Sequence, residues 1–112
     1  MNKPKRPEEV YFCGQRWTLE FSDHALVSGT DQAFGETYAP ARHIRIDASP
    51  GYSEQWIKQV TIHEATHAMH FTHGGIHPAD EESCVRQLEC PLITLLQDSR
   101  NRAFLRWVCK EN

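Results

Sequence analysis

The chain lacks any run approaching the ~20 apolar residues that a helical membrane span needs, and so no membrane crossing is expected. It lacks a basic excess: 12 Lys and Arg stand against 15 Asp and Glu, a net charge of -3. That balance argues against a surface built to coat nucleic acid. No apolar segment follows the basic start Met1-Asn2-Lys3-Pro4-Lys5-Arg6-Pro7. A secretory signal is therefore not expected, and residues 1–9 are read as a flexible tail. None of the four cysteines, Cys13, Cys84, Cys90 and Cys109, forms a C-x-x-C pair. The spacing of Cys84 and Cys90 fits no common zinc knuckle. Their low density favours reduced, partly buried thiols in a cytoplasmic protein over a disulfide framework. Repeats and low-complexity tracts are also absent beyond the tail.

What remains is an ordinary globular composition, 39% hydrophobic and 24% charged over 112 residues. That length suits one domain, placed at residues 10–112, with a single hydrophobic core. Residues 10–21 carry aromatic and β-branched side chains around Gly14, the pattern of a strand interrupted by a hairpin turn or bulge. Residues 22–40 are rich in Gly, Asp, Ser and Thr and read as loop, with a short strand near 35–38. His43-Ile44-Arg45-Ile46-Asp47 alternates polar and apolar, as a half-buried strand does. Residues 48–51 read as a turn.

A helix is predicted from Ser53, whose hydroxyl can cap the first free N–H groups, with Glu54 suiting the positive end of the helix dipole. It continues through Trp56, Ile57, Val60, Ala65, Ala68 and Phe71 to a stop at Gly74-Gly75, with His73 in the last turn. A second helix is predicted from Asp80, carrying Val85, Leu88, Leu92, Leu95 and Leu96, and kinked or split at Pro91. A third, 102–109, offers Phe104, Leu105, Trp107 and Val108 to the core. Strands first and helices after them indicate an α+β fold: a small, mostly antiparallel sheet on the first helix, with two further helices.

The chemistry concentrates in His63-Glu64-Ala65-Thr66-His67, an H-E-x-x-H motif. Residues four apart on a helix share a face, about 6 Å apart along the axis. Two imidazoles so placed can converge on one ion at about 2.0–2.1 Å each. Glu64 is offset by one residue and suits a different task. Zinc brings a bound water toward a pKa of ~7, and a neighbouring carboxylate can take its proton as it attacks a carbonyl. On a helical wheel His63, Glu64 and His67 share an arc with Trp56, Ile57, Val60, Ala68 and Phe71, so all three are expected on the core-facing side.

The third ligand is less directly marked. His73 completes a run that approaches H-E-x-x-H-x-x-G-x-x-H, but His70 stands where that pattern needs its turning glycine. The alternatives are acids at the start of the second helix. On the wheel Glu81 lies nearest the middle of the Val85/Leu88/Leu92 stripe. His70 reads as a helix-face residue. His77, Tyr52 and Tyr38 are equal candidates for oxyanion stabilisation. His24 and His43 read as surface residues, and Trp17, Trp56 and Trp107 as core packing.

Thr61-Ile62-His63-Glu64-Ala65-Thr66-His67-Ala68, followed by Asp80-Glu81-Glu82-Ser83-Cys84-Val85-Arg86-Gln87-Leu88, resembles the short H-E-x-x-H zinc metallopeptidases common in bacteriophage genomes. These are minigluzincin-like domains akin to the ImmA/IrrE group. The resemblance runs from about Ile44 to the end of the chain and leaves 1–36 without a recognisable signature. It implies Glu82 as third ligand, after His63 and His67, because in that family a Glu three residues before Val or Ala ligates. Where longer relatives carry a supporting Asp, this chain has Arg86. The resemblance implies a zinc-dependent peptidase with Glu64 as general base, acting on a peptide or protein in a bacterial cytoplasm. Neither nucleic acid nor membrane is expected as a partner. A strand edge, at His43–Asp47, would receive extended substrate. The rival reading is a zinc-stabilised regulator that binds a protein without cleaving it; such a protein has no use for Glu64.

Overall fold

A computed structural model describes residues 5–28, 31–72 and 80–110. The N-terminal strands are β1 (Glu9–Phe12) and β2 (Gln15–Ser22), joined through Cys13 and Gly14. Both turn residues take positive φ, 50° and 78°. A two-residue hairpin demands that backbone to match the right-handed twist of its strands, and glycine supplies it without steric cost. Then follow β3 (Leu26–Ser28), β4 (Asp31–Ala33), β5 (Gly35–Tyr38) and β6 (His43–Asp47). The helices are α1 (Glu54–Phe71), α2 (Glu81–Gln97) and α3 (Arg102–Cys109). The fold is α+β. No helix among the described residues is long and apolar enough to cross a membrane.

Four strands form one sheet in the order β1-β2-β6-β5, while β3 and β4 make a separate hairpin. β1 and β5 pair antiparallel with their neighbours, and β2 pairs parallel with β6. The register aligns Val10 with Trp17, Leu19 with Ile44, and Phe21 with Ile46. These side chains fall on one face, and all but the half-buried Phe21 are buried. Ile57, Val60, Ala65, Ala68 and Met69 of α1 belong to the same core, as do Leu95, Phe104 and Trp107 from the other helices.

Two sequence expectations need correction here. His43–Asp47 is an interior strand, flanked by β2 and β5, and is not an edge. Its alternation reflects one buried face and says nothing about neighbours in the sheet. The edge beside α1 is β5. Secondly, α2 buries Leu95 and Pro91, with Cys84 and Leu88 half-buried, whereas Val85, Leu92 and Leu96 are exposed. Pro91 does not split the helix.

The helix ends follow local chemistry. Ser53 Oγ accepts from Trp56 N–H at 3.1 Å, and Asp80 Oδ1 accepts from Ser83 N–H at 2.8 Å. The Ser83 bonds hold the Asp80 carboxyl below its ordinary range. α3 begins and ends where its apolar spacing predicts. The Gly74-Gly75 stop and His73 lie outside the described residues. Residues 6–9, read as tail, are tied to the domain. Arg6 donates to both carboxylate oxygens of Glu54 at 3.0 and 2.8 Å, Pro7 is buried, and Glu9 opens β1. Asn101 is fully buried between chain segments distant in sequence. Its amide accepts from Tyr11 N–H at 2.7 Å and donates to the carbonyls of Tyr11 and Leu95 at 2.9 and 3.1 Å. It thereby satisfies β1's backbone where the sheet ends.

Candidate active site

The middle of the buried face of α1 runs Ile57, Val60, Thr61, Glu64, Ala65, Ala68, with Lys58, Met69 and His70 also buried beside it. Every member of that middle stripe but one is apolar or bonds to its own helix, as Thr61 does to the Ile57 carbonyl at 2.7 Å. The exception is Glu64, whose side chain is only 9% exposed. A carboxylate at that depth costs free energy unless neighbours hydrogen-bond to it. Here the neighbour is the edge strand. Thr37 Oγ1 lies 2.8 Å from Glu64 Oε1 and 3.0 Å from the Glu64 backbone carbonyl.

His63 and His67 flank this carboxylate. Their ring centroids are 5.0 Å apart with planes at 75°. One donor atom from each of His63, Glu64 and His67 lies within 4.8 Å of the others. His63 Nε2 stands 3.9 Å from Glu64 Oε2. The three do not share the core-facing side as the wheel suggested. Glu64 points inward, His67 is half-buried, and the His63 side chain is 69% exposed. His63 is rotated one residue out of the stripe, and no element among the described residues covers that flank. The result is a site open on the His63 side and closed behind Glu64. Two imidazoles one helical turn apart are donors of the kind zinc takes, and the Glu64 carboxylate stands close enough to act on what they hold.

A cavity of about 330 Å³ adjoins the cluster, lined by Phe34, Gly35, Trp56, Gln59, Val60, His63 and Glu64. Its aromatic wall is ordered by edge-on packing. Phe34 meets Trp56 at 5.4 Å and 89°, and Tyr52 at 6.0 Å and 78°. Trp17 and Trp107 are core residues as expected, but Trp56 also forms this wall. Sequence reasoning did not find Phe34, Gly35 or Thr37 as site residues. Their signal exists only once β5 is paired: Gly35 sits opposite Ile46 and Thr37 opposite Ile44, on the face that α1 covers.

The remaining candidates scatter. Glu82 lies on the outer side of α2, 72% exposed, with its Oε1 3.2 Å from Arg86 Nε, and it is not in the cluster. The observed inner row of α2, Cys84–Leu88–Pro91–Leu95, continued back one turn, reaches 80 and 81 and passes 82 by. The Glu81 side chain, His73 and His77 lie outside the described residues. His70 is buried where α1 meets α2, its Nδ1 2.9 Å from Gln87 Oε1 and its Nε2 3.9 Å from Cys84 Sγ. That places it in helix packing, one turn beyond the cluster. Tyr52 packs on Phe34, and Tyr38 is exposed at the end of β5. His43 is half-buried, not a free surface group, and contacts Thr18 and Glu20. Cys13 and Cys90 bring their sulfurs to 3.8 Å, and all four cysteines are free.

No family model, no curated protein and no solved structure matches the chain.

Proposed function

We propose that the protein is a zinc-dependent metallopeptidase in which His63 and His67 hold the metal and Glu64 is the general base. The observation that carries this reading is the burial of Glu64. A carboxylate sits in the apolar stripe of α1, beside two imidazoles and against an open cavity. A site that only stapled the fold would have no use for an acid there, and its burial would be a cost without return.

The third protein ligand of this reading is sought in the acidic first turn of α2, where Glu82 would have to turn in from the outer face it occupies. Glu82 is the position implied by the resemblance, and Glu81 is its alternative in the helical register. The Arg86 contact does not oppose a move by Glu82, because exposed ion pairs contribute ~0–1 kcal/mol. When bound, zinc would supply a Lewis acid and acidify water near neutral pH. Glu64 would take a proton from the attacking water and pass it to the leaving amine. The aromatic wall of Phe34 and Trp56 keeps bulk water from one side of the carboxylate and gives an apolar substrate side chain somewhere to lodge. The outer edge of β5 takes extended peptide by strand addition, which brings the backbone past Gly35 and so to Glu64.

The test is cleavage of a peptide library by zinc-loaded protein, wild type against Glu64→Gln. Peptide products from the wild type, lost in the variant while its zinc content holds, support the reading. A wild type that binds zinc stoichiometrically but cleaves neither peptides nor unfolded proteins contradicts it.

A further inference from the structure

The cluster poses a problem for its own chemistry. Glu64 offers a carboxylate oxygen within 4.8 Å of the two imidazole donors. Distance alone does not stop that oxygen from becoming a ligand. A ligating Glu64 would take the place needed by water and could no longer accept its proton. Something must hold the carboxylate back.

We propose that Thr37 is the positioning residue that keeps Glu64 a base, by tethering one carboxylate oxygen to the edge strand β5 so that the other cannot swing fully onto the ion. This rests on the peptidase reading above. The register puts Thr37 opposite Ile44 and Gly35 opposite Ile46, so both face α1. The Thr37 hydroxyl has one proton and two acceptors in reach, Oε1 at 2.8 Å and the Glu64 carbonyl at 3.0 Å. The charged oxygen is the stronger acceptor and the nearer one. One carboxylate oxygen is thus fixed, and Oε2 is left on the His63 side at 3.9 Å from Nε2. Gly35 makes the arrangement possible. A Cβ there would lie 2.7 Å from Glu64 Cγ and 3.1 Å from both Cδ and Oε2. Only a residue without a side chain lets the glutamate stem lie back against β5. Glycine and threonine, two residues apart on one strand face, form a two-point seat for the carboxylate. Among the described residues the Thr37 side chain bonds only to Glu64 and acts through it.

The test is a double-mutant cycle read by zinc affinity, measured by competition with a chromogenic chelator at fixed pH. With the seat intact, Glu64→Gln changes the zinc Kd by less than about threefold. In Thr37→Val the freed carboxylate turns onto the metal, so adding Glu64→Gln weakens binding by about tenfold, the worth of one bond to a charged group. Thr37→Ser keeps the hydroxyl and behaves as wild type. Where a substrate is cleaved, Thr37→Val lowers kcat about tenfold with KM within twofold, and serine rescues it. Gly35→Ala gives a second route, since its methyl displaces the glutamate stem and should couple to Glu64→Gln in the same way if the valine variant does not fold. An equal effect of Glu64→Gln in the wild-type and seat-disrupted backgrounds overturns the proposal, whatever happens to activity. A wild type that binds zinc without cleaving peptides sinks the peptidase reading alone, and the affinity cycle still decides this one. A wild type that takes up no zinc overturns both.

Discussion

Helix α1 holds two shielded glutamates, and it keeps them in opposite ways. Glu54, in the first turn, receives two bonds from Arg6 and a third from the Trp107 indole N–H at 2.8 Å. Arg6 holds its carboxyl below the ordinary glutamate range against the opposing effect of burial, with Trp107 adding to the shift. Arg6 itself lies over the Phe21 ring at 5.5 Å, so the pair is fixed to the core. Glu64, ten residues further on, is a little more enclosed and is given a neutral hydroxyl and an imidazole 3.9 Å away, beside an open cavity. A carboxylate clamped by a cation is a strut, whose charge is neutralised by its partner. The one at Glu64 has no cation clamped to it among the described residues and faces a cavity.

The largest effect that can break this contrast is on turnover. Glu64→Gln should lower peptide cleavage by about 100-fold or more, the usual worth of a general base, while Glu54→Gln leaves kcat within about twofold. Rates measured on both zinc-loaded variants check this; comparable losses would erase the distinction. Stability should show the reverse order. Glu54→Gln strands the Arg6 guanidinium and should cost about 1–3 kcal/mol, a fall in Tm of roughly 5–15 °C for a chain of this size. Glu64→Gln should move the apo-protein Tm by only a few degrees.

A pH series sharpens the same comparison. The folded-state pKa of Glu54 is lowered, so in acid the unfolded chain binds a proton that the folded protein refuses. Its contribution is full above the ordinary glutamate range of about 4.3 and is lost as pH falls through the depressed value. Urea midpoints measured from pH 6 downward should therefore drop more steeply in wild type than in Glu54→Gln, and the two curves should converge in strong acid. Parallel curves would mean the Arg6 clamp does not persist in solution. The smallest effect concerns Glu82. Removing its carboxylate should change apo stability by less than about 0.5 kcal/mol, because the Arg86 pair is exposed. The rise in Tm on adding zinc should shrink in Glu82→Gln if this residue is the third ligand. An undiminished rise, with a loss in Glu81→Gln instead, would move the assignment by one residue.

Much of this was legible in the sequence where the cause is local. Ser53 and Asp80 cap their helices because a side-chain oxygen needs only N–H groups three residues on. Gly14 marks the hairpin because two adjacent positive φ angles are a property of the turn alone. The bounds of α3 follow from its own periodicity. The paired histidines are legible for the same reason, being one helical turn apart. What escaped depends on pairing between distant segments. Three-residue strands such as β3 and β4 are too short for an alternation to show. Nothing in 43–47 distinguishes an interior strand from an edge, because the parallel partner β2 lies more than 20 residues away. The bonds of Asn101 to Tyr11 span 90 residues, and the seat of Glu64 on Gly35 and Thr37 spans nearly 30. The wheel placed Val85 and Leu92 inward on hydropathy, but α2 packs through a neighbouring row whose members include a cysteine and a proline. That face is the one turned to α1 and β1, and contacts with distant elements are not written in a single helix.

The most direct measurement is anomalous diffraction at the zinc edge from crystals grown with equimolar zinc. One strong peak is expected between the imidazoles of His63 and His67, with Glu64 beside it and still bonded to Thr37. No peak at that position, or one bound to sites elsewhere on the surface, would contradict it.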